Sequence, residues 1–222
     1  MSLGSTRTSF IALLFALAAL AWWSTADRMQ SMMGTRDLGT LGWFVGVWVV
    51  MMAAMMFPSV APTVALYARM SRKRVAPFVF TAGYLVTWAL PGLLAYGLWR
   101  TGSFDGTRRW LVGGTLLLAA AYELTPLKYV CLSKCRSPFG FLVGAWRDGY
   151  RGALEMGARH GAWCVGCCWA LMAALFALGV MSIAWMAFVA LLIAAEKLLP
   201  WRRVATYGVA VTLLVLGLVS LA

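Results

Sequence analysis

Apolar residues fall into seven runs along the chain, separated by short polar and mostly basic breaks. The runs cover about 9–25, 41–66, 76–98, 110–126, 162–180, 183–199 and 204–221. Most reach the roughly 20 residues that carry a helix across about 30 Å of hydrocarbon. Unpaired backbone amides are too costly in lipid for any open alternative, so the runs predict helices. The expected fold is all-α: a polytopic transmembrane helical bundle of about seven helices in a single domain over 1–222. The fifth and sixth runs are nearly continuous, and Gly179 to Ser182 is the best place for a turn. Without that turn the count falls to six. The connection from Leu127 to Gly161 is the longest and is too apolar for a loose linker, with Phe139, Phe141, Leu142, Val143, Trp146, Tyr150 and Leu154 in it. Arg147 and Arg151 stand one helical turn apart, which predicts an interfacial helix over about 141–158 with its basic groups toward lipid headgroups. Arg7, the apolar run after it and Ser24-Thr25-Ala26 have the outline of a secretory signal. Bulky Trp22 and Trp23 sit where small residues are expected before cleavage, which favours an uncleaved first helix.

Composition supports the lipid reading. Of 222 residues, 63% are hydrophobic and 12% charged, against roughly half apolar and a quarter charged in a soluble domain. A chain this short cannot hide that excess in a water-soluble core. The 12 Trp fit the same picture, since Trp favours the headgroup level. The net charge of +12 would point to nucleic acid in a soluble protein. Here the basic residues cluster between apolar runs, where they set orientation and meet anionic lipid, so lipids are the expected partners and nucleic acid is not. With the N-terminus cytoplasmic and seven helices, fourteen Lys and Arg lie inside against five outside. That topology places the C-terminus outside.

Candidate chemistry lies first in the run from His160 to Trp169. His160, Cys164 and Cys168 are spaced four apart, so a helix stacks them on one face, with Cys167 beside it. Thiolate and imidazole are the usual ligands of zinc, and thiolates select copper(I). A lone Cys packs as a small apolar residue, but three within five residues beside the chain's one His exceed what packing needs. Gly161 and Gly166 leave room for another backbone or an ion. A second group, Cys131 and Cys135, follows the fourth run and maps to the same side of the membrane. Lys128, Lys134 and Arg136 flank it and favour thiolate, besides anchoring the topology. Five Cys at this spacing do not make a secreted disulfide framework.

Met51, Met52, Met55 and Met56 form two i,i+4 pairs. Their thioethers suit copper(I), although such a stripe is more often packing. Pro58 removes a helix hydrogen bond beside them and predicts a kink. Glu123 lies within the fourth run, as a proton or cation contact or a protonated acid with a hydrogen bond. Glu196 closes the sixth run near the interface, paired with Lys197 or a neighbouring cation. No catalytic triad, phosphate loop or paired-carboxylate hydrolase pattern is present, so an enzyme is not the expected reading.

Together these stretches resemble a family of bacterial proteins described as predicted metal-binding integral membrane proteins. The likeness rests on Met51 to Pro58, Gly83-Tyr84 with Trp88, and Thr125 to Lys128 leading to Cys131, Cys135, Arg136 and Pro138. It continues through Cys164-Val-Gly-Cys-Cys-Trp169, the most specific piece, Leu171-Met172, Gly179 with Met181, and Glu196-Lys197. It covers roughly 43–200, the family-like core. At Glu123 the chain departs from that family, where Gln is common. The resemblance implies a multi-pass protein of the bacterial inner membrane that binds a metal ion.

The leading expectation is therefore a protein that binds copper(I), with zinc second, for delivery, sensing or metalloenzyme assembly with a metallochaperone or membrane-complex partner. Its expected ligands are Cys131, Cys135, Cys164, Cys167 and Cys168, with His160 auxiliary and the four Met as a relay. Two other readings stay open. One is an accessory subunit of a membrane complex, docked through small residues such as Gly42 and Gly46. The other is a thiol oxidoreductase, which a cytoplasmic position disfavours.

Overall fold

The computed structural model describes residues 3–32, 40–100, 109–179 and 182–222, and among them every regular element is an α-helix. In chain order these are α1 (Leu3–Met32), α2 (Leu41–Met70), α3 (Ala76–Arg100), α4 (Arg109–Glu123), α5 (Pro126–Arg136), α6 (Pro138–Ala145), α7 (Gly149–Gly179), α8 (Ile183–Leu198) and α9 (Arg202–Leu221).

Five of these helices, α1, α2, α3, α7 and α9, are long and apolar enough to cross a membrane, and α4 with α5 makes a sixth if the bent pair is one span. At 16 residues, α8 falls short of the roughly 20 that cross hydrocarbon. The expectation of about seven crossing helices thus becomes five to six. α7 ends at Gly179 and α8 starts after Ser182, as expected. Residues 180 and 181 of the predicted turn lie outside the described residues.

The interfacial helix over 141–158 is not a separate element. Its first residues belong to α6, and 149–158 are continuous with the Cys-bearing helix in α7, which runs 31 residues. The break falls at 146–148, before Gly149 with φ of 83°, a left-handed conformation that suits glycine. The polar residues Arg159 and His160 suggest a helix start in sequence. Tertiary packing overrides them, because 149–160 lies along α3. A Cβ at Gly157 would overlap the Phe80 carbonyl, and one at Gly83 would overlap the Leu154 carbonyl. Backbone meets backbone here, the contact that small residues allow in membranes.

The fourth predicted run is also divided. α4 stops at Glu123 and α5 leaves it at 68°. Thr125 caps α5, its Oγ1 accepting from the Lys128 amide at 3.3 Å, and Pro126 takes the first helical turn, where its missing N–H costs nothing.

α2 and α7 are innermost, with 56% and 50% of their apolar spans buried, against 22–28% for α1, α3 and α9. Pro58 and Pro62 lie inside α2, which continues through both. Pro58 cannot donate to the carbonyl of Ala54, four residues back. The Trp22 indole of α1 donates to that oxygen instead, at 3.1 Å. The proline thus creates an acceptor that helps dock α1 on α2.

Substituting Gly157 by Ala should separate α3 from α7 and cost about 1–3 kcal/mol of stability. The same change at Gly97, which has open space around it, should cost nothing. Thermal unfolding in detergent compares the two.

Candidate metal centre

Three sulfur atoms come together in the interior. Cys164 and Cys167 lie one turn apart on α7, and the last turn of α5 brings Cys135 against them. Their Sγ atoms all lie within 4.8 Å of one another. Cys167 Sγ is 3.7 Å from Cys135 Sγ and 3.3 Å from Cys168 Sγ. Cys164, Cys167 and Cys168 are buried and Cys135 is partly so. Cys131 is buried on α5 one turn earlier, against Gly166, where a Cβ would come 2.8 Å from its sulfur. The glycine lets α5 reach α7, and the two cysteine groups meet.

Three further helices supply the surroundings. The Tyr84 hydroxyl of α3 lies 3.1 Å from Cys164 Sγ. Lys197 of α8 donates to the same sulfur at 3.0 Å. Its ammonium also reaches Ser59 Oγ at 3.3 Å and Met56 Sδ at 3.8 Å on α2. Buried charge of this kind requires paired partners, and sulfur and hydroxyl groups provide them here.

Some predicted residues stand apart. His160 is buried, but its ring sits among Phe80, Tyr84 and Phe141 and does not join the sulfur group. Its Nδ1 has no hydrogen-bond partner among the described residues. Of the methionine pairs, Met56 approaches the site through Lys197, while Met51, Met52 and Met55 are buried in the core of α2.

Sequence reasoning did not single out Tyr84 as a site residue, and for Glu196 it offered Lys197 or a neighbouring cation as partner. Glu196 pairs not with Lys197 but with Lys128, at 2.7 Å. Lys128 Nζ also stands 2.7 Å from Oε1 and 2.6 Å from Oε2 of Glu123. All three residues are at most 2% exposed. Two adjacent polar residues near the end of an apolar helix were the available signal. Neighbours on a helix point about 100° apart, so Glu196 and Lys197 face different partners.

Lys128→Met would leave two buried carboxylates without their cation. The expected loss is about 3–5 kcal/mol, read as unfolding in detergent. Lys134→Met, at an exposed position, should change little.

Comparison with known proteins agrees with this donor chemistry. No curated protein and no solved structure matches the chain. A family model described as PpoB2, copper chaperone, matches residues 45–220. The family shown is thus a copper chaperone family and not the predicted metal-binding family named from the motifs, of which the metal-binding character carries over. With a match over most of its length, the chain belongs to the PpoB2 copper chaperone family.

Proposed function

We propose that this protein is a multi-pass membrane protein that takes up copper(I) on Cys135, Cys164 and Cys167 and passes it to a partner protein during metalloenzyme assembly. The observation that carries the reading is the gathering of three sulfurs from two helices within 4.8 Å. Cys168 and Cys131 adjoin the set and serve as entry or exit ligands. Soft thiolates select copper(I) and zinc among biological ions. Zinc in structural sites takes four ligands. The Lys197 ammonium stands at Cys164, where a further ligand would approach, and this favours copper at low coordination. Met56, next in line behind Lys197, is the thioether best placed to relay the ion.

Charge supports the same reading. Three thiolates and one copper(I) leave two negative charges, and the Lys197 ammonium offsets one. The excess of arginines and lysines on one side of the expected topology supports a cytoplasmic position for the N-terminus and the sulfur site in the bacterial inner membrane, within reach of a soluble donor.

Protein purified without chelators and loaded with copper(I) should hold about one copper per chain on sulfur ligands, as thiolate softness requires. Elemental analysis with X-ray absorption reads both quantities. The Cys135/Cys164/Cys167→Ser variant should lose that copper, and equal metal in both proteins would remove the reading. A Cys135–Cys167 disulfide in trapped cells would favour thiol exchange instead. Lys197→Met should weaken copper(I) binding about tenfold, corresponding to roughly 1.4 kcal/mol of lost charge compensation, measured by competition with a copper(I) chelator.

A further inference from the structure

The buried set Glu123–Lys128–Glu196 is not used by the proposed copper chemistry. It joins the end of α4, the first turn of α5 and the last turn of α8. With every group ionised it carries two negative charges and one positive. An ionised carboxylate without full compensation in an apolar interior is expensive, and such a group neutralises instead. When two carboxylates share a site, one keeps its proton.

The geometry shows where that proton goes. Lys128 Nζ lies close to both oxygens of Glu123 and to Oε2 of Glu196. Glu196 Oε1 and Glu123 Oε2 are both buried and have no hydrogen-bond partner among the described residues, although the latter lies 2.6 Å from the ammonium. Both carboxyl groups lie within 2.7 Å of the same ammonium nitrogen, which brings them close to one another. One carboxylic hydrogen held between the two acids would satisfy an orphaned oxygen and bring the set to zero charge in one step.

A cavity of about 640 Å³ touches the set through Glu123 and Lys128. Tyr129, Ser133, Arg136, Arg203 and Tyr207 line it as well, so its wall is polar enough to carry water. Of the neighbouring charges, Arg136 is engaged by the Glu196 and Leu199 carbonyls, and Lys197 by Cys164. Arg203 of α9 faces the cavity. Tyr122 donates to the Gly166 carbonyl.

We propose that Glu123 and Glu196 together form a proton-binding site: the pair holds one carboxylic proton between them and exchanges it through the adjoining cavity. The inference is independent of the copper reading, since no sulfur takes part in it.

Infrared spectroscopy of the full-length protein in detergent at neutral pH tests it. The wild type should show the carbonyl stretch of one protonated carboxylic acid, moving to lower frequency in D2O. Glu123→Gln keeps the shape and the donor to Glu196, and should lose the band. Glu196→Gln gives a second reading, because Glu123 alone with Lys128 becomes a carboxylate and the band vanishes there too. Absence of the band from the wild type would overturn the proposal, with Arg203 then supplying the missing charge across the cavity. So would a band that survives Glu123→Gln, or one that does not shift in D2O.

Discussion

The Lys128 ammonium, buried between Glu123 and Glu196, decides where α5 lies, and the sulfur group depends on that position. α5 is short, with 11 residues, and leaves α4 at a steep angle. Its apolar surface alone would not fix its rotation. The ammonium gives it one direction toward α4 and α8 together. Arg136 then ties the far end of α5 to carbonyls at the end of α8. Between those ties, Cys131 and Cys135 face α7. A rotation of α5 by a quarter turn would strand the ammonium in hydrocarbon, at a cost no apolar contact nearby could offset.

The other half of the site rests on backbone contact. α7 carries Cys164, Cys167 and Cys168 past α3, where Gly83 and Gly157 remove the side chains that would hold the helices apart. That closeness puts the Tyr84 hydroxyl at Cys164. Gly166 does the same for α5. Apolar burial does not drive helices together in lipid as it does in water, so such close contacts and internal polar ties carry the association.

Much of this was legible in the sequence. Run lengths marked the helices, and the basic clusters put both cysteine groups on one side. Spacing placed the thiols of α7 on a common face. Three things were not legible. The bend at Leu124-Thr125 looks like apolar continuation until the Thr125 cap and Pro126 are read together. The continuity of α7 through Arg159 and His160 depends on α3 being alongside, which no local pattern states. The partners of Glu196 and Lys197 depend on which helix lies on each side of α8. His160 shows the converse limit: its spacing fits a ligand, yet an aromatic cage from α3 and α6 holds its ring.

α5 and α8 each carry one residue of the charged set and one of the sulfur site: Lys128 with Cys135, and Glu196 with Lys197. Neither helix can shift at one site without shifting at the other. The two sites also share a low-dielectric interior, where like charges interact far more strongly than in water. If the sulfur site binds copper(I) on three thiolates, it becomes negative by one charge after Lys197 is counted, and a second uncompensated negative charge on the carboxylates would oppose it. A carboxyl pair that keeps one proton removes that conflict. Such a balance would explain why a chain with few acidic residues buries two of them together beside a thiolate cluster.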